Sequence, residues 1–484
     1  MFTFLKTNVI AQKLEKSISI DFIIKDKITD TTGISIQYYP EYSMATNFVY
    51  FDRYSVEHER GRLHLDLFNN QQYGYIRLIL PKPFYDQFID YQFLVERGDK
   101  IQITIEKGNV YFTGEGSEKF NCQLQIQSLP MNKFACDEID SICLDRYVRA
   151  FKQHQTRQID ILNNYKNTLS SIDFDIFKLN IISTCYFNNL NLFRSFLVYS
   201  EPIYKRAVAN YFLNTNNIKE INTEGINVNK IGILSNSYVD AVFQRERSLI
   251  DMKTLTARPG NPLNTFQILF DSLMSKYSGV LRDRLLVNCL VSDIPIRTTA
   301  DSEKYLDSVY NFVNDDVSKS ILFKKLRTSR GVMGYNFQLK DSTGTIINFS
   351  DFKGKVVIMD YYFTGCIPCI RMCKSLSPVF NNFKDNPEVV FLTINLDKSF
   401  ETFKNSVRSG LYTHPGTINL YTNGQGQDHE IMEHYGFIGA PHLILFDKTG
   451  RIWDSNPIFK INPVKYQKDF IADIEGLVEG KKTK

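Results

Sequence analysis

The fold turns on residues 356–369, Val356-Val357-Ile358-Met359-Asp360-Tyr361-Tyr362-Phe363-Thr364-Gly365-Cys366-Ile367-Pro368-Cys369. Up to Phe363 the run is apolar or aromatic except at Asp360. It shows little alternation, which reads as a strand buried on both faces, as in a parallel sheet. From about Cys366 to Phe383 the sequence reads as a helix, so both cysteines fall where a buried strand gives way to a helix start. That position carries chemistry. Thiol exchange needs a thiolate, and a free cysteine with a pKa of about 8.5 is mostly protonated at neutral pH. Unsatisfied N–H groups and the dipole at a helix N-terminus favour the anion, so Cys366 is expected to attack. Two intervening residues let Cys369 reach back and resolve the mixed disulfide, and Pro368 suits the first turn.

Working outward, Phe337–Phe349 reads as strand, turn, strand, and Ser350 is placed to cap a short turn ending at Gly354. Val389–Ile394 is a second buried strand, and a helix over 400–409 stops at Gly410. A strand near 417–421 and a helix over 428–435 follow. Residues 442–447 and 451–454 form a hairpin across Asp447-Lys448-Thr449-Gly450. Asn462-Pro463 starts a last helix that puts Phe470, Ile474, Leu477 and Val478 on one face. Alternating βαβ followed by ββα defines an α/β layer architecture.

Other uses of the cysteines fare worse. A zinc site would draw on Cys373 and one of His429, His434 or His442, but there is no second CxxC. An iron–sulfur cluster lacks a fourth cysteine at suitable spacing, and a peroxiredoxin would carry Thr where Phe363 stands. No metal or cofactor is expected.

The segment from Phe337 to Trp453 resembles the thioredoxin superfamily, and most its TlpA-like disulfide reductase branch. Three pieces carry the resemblance besides the Cys366–Cys369 motif: Leu339-Lys340-Asp341 with its turn, Phe349–Val357, and Tyr435-Gly436-Phe437-Ile438-Gly439-Ala440-Pro441. The resemblance implies that Pro441 is a cis-proline facing the cysteine pair, with the Ala440 backbone presented to an extended substrate. Ile367 and Pro368 would complete the substrate-binding loop. It also matches Asp360, six residues before Cys366, to a buried carboxylate beneath the second cysteine. That carboxylate would take the proton of Cys369; the other reading is a polar residue at a strand end. Departures exist. Gly365 stands where the family usually has Trp, and the single Trp of the chain is Trp453. Cys373 reads as core packing or as an auxiliary thiol, and His442 as a strand-filling residue or one that tunes the thiolate.

Upstream, residues 16–130 read as an antiparallel β domain of sandwich type. Ile18, Ile20, Phe22 and Ile24 alternate with polar positions, as do Leu63, Leu65, Leu67 and Ile101, Ile103, Ile105. The GxG at Gly114–Gly116 lacks the remainder of a phosphate loop and reads as a turn before a helix capped by Ser117. Residues 131–330 read as a helical region in two halves, divided at Arg258–Pro262. There Leu144, Tyr147, Val148 and Phe151 make one apolar face. This β-then-helical arrangement resembles accessory halves fused to such domains in bacterial envelope proteins. The thioredoxin-like domain is assigned to 331–484.

The 484 residues exceed one compact core. With 57 basic and 53 acidic residues interspersed, no nucleic-acid footprint is expected. No apolar run is long enough for a membrane span. Residues 1–15 read as the remnant of a secretory signal, because Val9-Ile10-Ala11 before Gln12 looks like a cleavage site, though the basic start and apolar stretch are missing. The eight cysteines (122, 136, 143, 185, 289, 366, 369 and 373) do not make a disulfide scaffold. The expected function is a thiol–disulfide oxidoreductase of the periplasm or cell envelope, or alternatively of the cytoplasm, reducing protein disulfides with a redox partner protein. An oxidase or isomerase, or a partner-binding protein with an accessory redox fold, are the other readings.

Overall fold

The computed structural model describes residues 18–25, 35–39, 52–55, 62–67, 72–80, 89–107, 109–131, 140–199, 202–215, 220–235, 237–256, 265–291, 299–437, 439–455, 457 and 467–480. The sequence features at Val9–Ala11, Arg258–Pro262 and Asn462-Pro463 lie outside these residues. The chain divides into two compact units, residues 1–289 and 290–484.

In the first unit, strands β1 (Ile18–Ile24), β4 (Arg62–Leu67), β7 (Lys100–Glu106) and β8 (Asn109–Glu115) form one sheet in the order β4-β1-β7-β8. Strands β2 (Ser35–Tyr39), β3 (Asp52–Ser55), β5 (Tyr73–Leu80) and β6 (Ile89–Glu96) form another, ordered β3-β2-β5-β6. Ile20, Phe22 and Ile103 from one sheet and Ile36, Ile76 and Phe93 from the other bury into a single core. The period-two pattern thus marks the inner faces of two stacked sheets. One pairing departs from the antiparallel expectation: β1 and β7 run parallel. Alternation records which face is buried and is identical for either strand direction, so direction could not be read from it.

Helix α1 (Ser117–Ser128) adds Phe120 to the same core. Its N-cap is Gly116 with φ 93°, not Ser117, which is already the first helical residue. Helices α2 (Ser141–Asn164), α3 (Ser171–Tyr199), α4 (Pro202–Asn214), α5 (Tyr238–Thr256), α6 (Thr265–Lys276) and α7 (Gly279–Val291) follow. Asp140 caps α2 by accepting from the Cys143 N–H at 2.7 Å, and Leu144 and Phe151 are buried on the face that the spacing assigned.

The second unit takes in α8 (Thr299–Phe312) and α9 (Asp316–Arg327) as well as the α/β region. Its seven-stranded sheet, in the order β10-β9-β13-β12-β11-β14-β15, uses β9 (Gln338–Asp341), β10 (Ile346–Asn348), β11 (Val356–Tyr362), β12 (Val389–Asn395), β13 (Ile418–Tyr421), β14 (His442–Phe446) and β15 (Ile452–Asp454). Every residue of β11 is buried. The strand is central, parallel to β12 and antiparallel to β14, which is why it carries no alternation. One face sets Val357, Met359 and Tyr361 against Leu392, Ile394 and Phe446. The other sets Val356 and Ile358 against Met372, Leu376 and Val379 of α10 (Ile367–Phe383) and Phe470, Ile474 and Leu477 of α13 (Gln467–Val478). Helices α11 (Phe400–Ser409) and α12 (Glu430–Tyr435) complete the unit. The turn over Phe349–Phe352 is capped by Asn348, which forms a capping box with Asp351. Ser350 lies inside that turn, where its N–H goes to Asn336 instead.

Candidate active site

The chain leaves β11 at Tyr362 and turns into α10 within four residues. Side chains far off in sequence hold that turn. Thr364 donates its N–H and hydroxyl to the two carboxylate oxygens of Asp397, at 2.9 and 2.7 Å. Gly365 takes φ 89°, a conformation that disfavours any side chain. This is a physical reason for glycine where a Trp was expected. Its N–H donates to the Tyr412 hydroxyl at 2.7 Å, and the Tyr412 ring stacks on Tyr362 with centroids 5.2 Å apart. Tyr362 in turn exchanges a hydrogen bond with Ser406 at 3.0 Å.

Cys366 is the N-cap of α10, and Pro368 occupies the first turn. The Cys366 sulfur accepts from the Cys369 N–H at 3.1 Å. The helix therefore offers an N–H to that sulfur, the arrangement that stabilises a thiolate. Cys366 and Cys369 are joined as a disulfide, with Cα atoms 5.3 Å apart, and both are nearly buried. The Ala440 carbonyl oxygen lies 3.8 Å from the Cys366 sulfur, and the Ala440–Pro441 bond is cis. So Cys366, Cys369, Ala440 and Pro441 meet at one point. Ile367 is 60% exposed beside them, and Pro368 is exposed as well.

Asp360 belongs beneath this point. Alternation along β11 puts it on the same face as Ile358 and Tyr362. Tyr362 packs with Cys366 and Cys369, while Ile358 packs with Met372 and Leu376, so Asp360 faces the intervening turn of α10. It is 5% exposed and its Oδ1 has no hydrogen-bond partner. Burial pushes its pKa well above the usual carboxylate range. Cys373 is buried on that turn, and burial, with Asp360 nearby, pushes its thiol up to about 12. It faces neither His429, His434 nor His442, the histidines weighed as its zinc partners. His429 caps α12 through the Ile431 N–H, His434 meets the Arg327 guanidinium at 2.7 Å, and His442 stacks on Phe437 at 3.9 Å. His414 is the histidine at Cys373, with Nδ1 3.9 Å from the sulfur. Among the described residues no group of three or more His, Cys, Asp or Glu could hold a metal.

Residues 354–452 match the family described as thioredoxin-like. The chain carries a thioredoxin-like domain over these residues. Over 117 residues the chain is 28% identical to the thiol-disulfide oxidoreductase ResA of Bacillus thuringiensis, covering 24% of this chain and 63% of the relative. It is 24% identical over 136 residues to ResA of Bacillus subtilis, covering 28% of this chain and 72% of that one. The chain thus spans less than two thirds of the length of the first of these relatives. The crystal structure of the thioredoxin domain of a thiol-disulfide oxidoreductase from Bacteroides vulgatus matches with 24% identity and a TM-score of 0.25, covering 30% of this chain and 98% of that one. The thioredoxin-like match takes in β11, the CxxC loop and Pro441, which are the pieces that set the geometry above.

Tyr412, Asp397, Ser406 and His414 were not singled out from the sequence. None lies in a motif, and each contributes through a contact 33 to 47 residues away along the chain.

Proposed function

We propose that the C-terminal unit is a thiol–disulfide oxidoreductase that reduces disulfides in other proteins, with Cys366 as nucleophile and Cys369 as resolving thiol. The observation that carries this reading is the Cys366 sulfur held at a helix N-terminus opposite the carbonyl before a cis-proline. The Cys366 thiolate attacks one sulfur of a substrate disulfide and releases the other as a thiolate. Cys369 then gives up its proton, attacks the Cys366 sulfur, forms the intramolecular disulfide and frees the second substrate sulfur. The substrate leaves reduced and the pair oxidised by two electrons. A redox partner protein must return those electrons. An extended substrate strand would pair with the backbone at Ala440, with Ile367 and Pro368 forming the exposed contact beside it.

The TlpA-like resemblance and the dithiol chemistry favour the periplasm or cell envelope. No helix among the described residues is long and apolar enough to cross a membrane. The deciding experiment is redox equilibration of the full chain with glutathione and with a dithiol. A reductase should equilibrate at about −230 to −270 mV, the range of glutaredoxin- and thioredoxin-type reductants. A value near about −120 mV would instead mark an oxidase. Loss of catalysed disulfide reduction in Cys366→Ser completes the test.

A further inference from the structure

We propose that Gln427 is a positioning residue that holds the Ala440 backbone in place opposite Cys366, as the outer link of a hydrogen-bonded brace between the two halves of the site. This inference rests on the substrate pairing at Ala440 proposed above and names what sets that surface in place.

The stretch ahead of the cis-proline is held from two directions. Phe437 is fixed from its own side: its N–H donates to the Met432 carbonyl at 2.9 Å, and its ring stacks on His442. Gly439, next to Ala440, has no side chain to pack, and Gln427 reaches it instead. The Gln427 side-chain carbonyl accepts the Gly439 N–H at 2.7 Å, while its amide nitrogen donates to the Phe437 carbonyl at 2.6 Å. One primary amide, with a donor and an acceptor side by side, thus pairs with this stretch as a neighbouring strand would. Both bonds fall immediately ahead of Ala440, whose carbonyl oxygen lies 3.8 Å from the Cys366 sulfur.

Gln427 is itself tied to the cysteine side. It sits in a single turn, Gly426–Asp428. The Gly426 N–H donates to the Thr422 hydroxyl at 3.1 Å, and that hydroxyl donates to the Asn395 carbonyl at 2.9 Å. Lys398 grips the same turn, 2.9 Å from the Gln425 carbonyl and 3.0 Å from the Asp428 carboxylate. The Asn395 side chain donates to the Asp397 carboxylate at 2.8 Å and accepts the Asp397 N–H at 3.0 Å. Asp397 in turn takes the N–H and hydroxyl of Thr364, two residues before Cys366. An unbroken series of hydrogen bonds therefore leads from the turn that carries the cysteines to the backbone that faces them. Its middle members, Asn395 and Thr422, are fully buried, whereas Gln427 is exposed, so the outer link can be cut without opening the core. A backbone already fixed asks no ordering of an incoming strand. A loosened one costs about tenfold in affinity for each residue the substrate must order.

The test uses the reduced full chain and Gln427→Met, which keeps the length of the side chain and removes both amide bonds. Two probes share one leaving group: an extended peptide whose single cysteine carries disulfide-bound thionitrobenzoate, and the small symmetric disulfide of thionitrobenzoate. With the peptide, a bond forms between the Cys366 and peptide sulfurs, the original S–S bond breaks, and thionitrobenzoate leaves with the electron pair. In Gln427→Met the half-saturating peptide concentration should rise about tenfold while the limiting rate holds. The small disulfide has no strand to pair and reports the attack alone, so its rate should fall by about twofold at most. Deuterium exchange of the Gly439 amide, followed by NMR, should speed up by about tenfold. Unchanged peptide saturation, or equal slowing toward both probes, overturns the positioning role. A wild-type chain that reacts with neither probe would sink the reductase reading, and the brace would then be decided by Gly439: faster exchange in the variant upholds it, and equal exchange overturns it.

Discussion

One difference between Cys366 and Cys369 supports the roles proposed for them. Cys366 accepts an N–H at the helix start, while Cys369 lies inside the first turn and supplies that N–H. Cys369→Ser should therefore accumulate substrate-linked species on non-reducing gels, and Cys366→Ser should give none. Equal trapping by both would reverse or erase the assignment. Asp360 can be tested through stability as well as rate. Its folded pKa is raised, so the folded state holds the proton more tightly than the unfolded one. Such a group stabilises below its unfolded pKa of about 3.9 and becomes a penalty as pH rises toward the folded value. Asp360→Asn removes that penalty. It should raise resistance to urea at pH 7 by about 1–3 kcal/mol, with the gain shrinking toward pH 4, while slowing resolution. A variant less stable than wild type at pH 7 would show that the carboxylate is compensated. At this scale the sequence yields whatever is contiguous. Cys366, Cys369 and Ala440-Pro441 sit in short motifs with fixed spacing. Tyr412 and Asp397 are ordinary residues until folding brings them to the N–H groups of Gly365 and Thr364.

Elements were legible where burial imposes a period, and less so at their ends. β11 is readable because a central strand is apolar or aromatic at all but one position, and the core face of α2 because Leu144 and Phe151 fall two helical turns apart. Caps are decided by backbone conformation. Ser117 is a good capping residue, yet Gly116 has the position because the turn there needs φ 93°. A Cβ at Gly116 would also lie 2.6 Å from Asp99 Oδ1. Asp99 cannot step aside freely, since its carboxylate holds Lys119 at 2.8 Å and accepts the Glu96 N–H at 2.7 Å. Gly116→Ala should accordingly cost about 1–3 kcal/mol, read as a lower urea midpoint of the ellipticity change. Gly344→Ala is a useful comparison, because φ there is 91° but nothing lies within 4 Å of the added methyl. Equal losses would assign the whole cost to backbone strain and none to Asp99. The parallel pairing of β1 with β7 shows the opposite limit, since no local residue encodes a partner's direction.

For the molecule as a whole, the buried titratable groups separate the two units by their response to acid. In the second unit burial holds His442 and His434 down to about 4 and also depresses His414 and His429. A histidine kept neutral in the fold costs stability once the unfolded chain can take a proton, from about pH 6.5 down to its folded pKa. Asp360 opposes them, as its penalty fades in the same direction. In the first unit the balance tilts the other way among the described residues: Asp99 and Asp173 are raised by burial and relax in acid, against one depressed histidine, His154. Trp453, the only tryptophan, lies in β15 of the second unit with the Arg330 guanidinium 3.6 Å above its ring. Its fluorescence therefore follows that unit, whereas ellipticity follows both. Between pH 7.5 and pH 5 the fluorescence midpoint in urea should fall by an amount equivalent to about 1–2 kcal/mol, with His442 the largest contributor. The ellipticity change should split, its helix- and sheet-rich first-unit portion staying put or moving to higher urea. His442→Phe, which keeps a ring on Phe437, should remove much of the acid sensitivity seen by Trp453. Coincident shifts of both probes at every pH would mean that the units unfold as one block and that the histidines act on the whole chain.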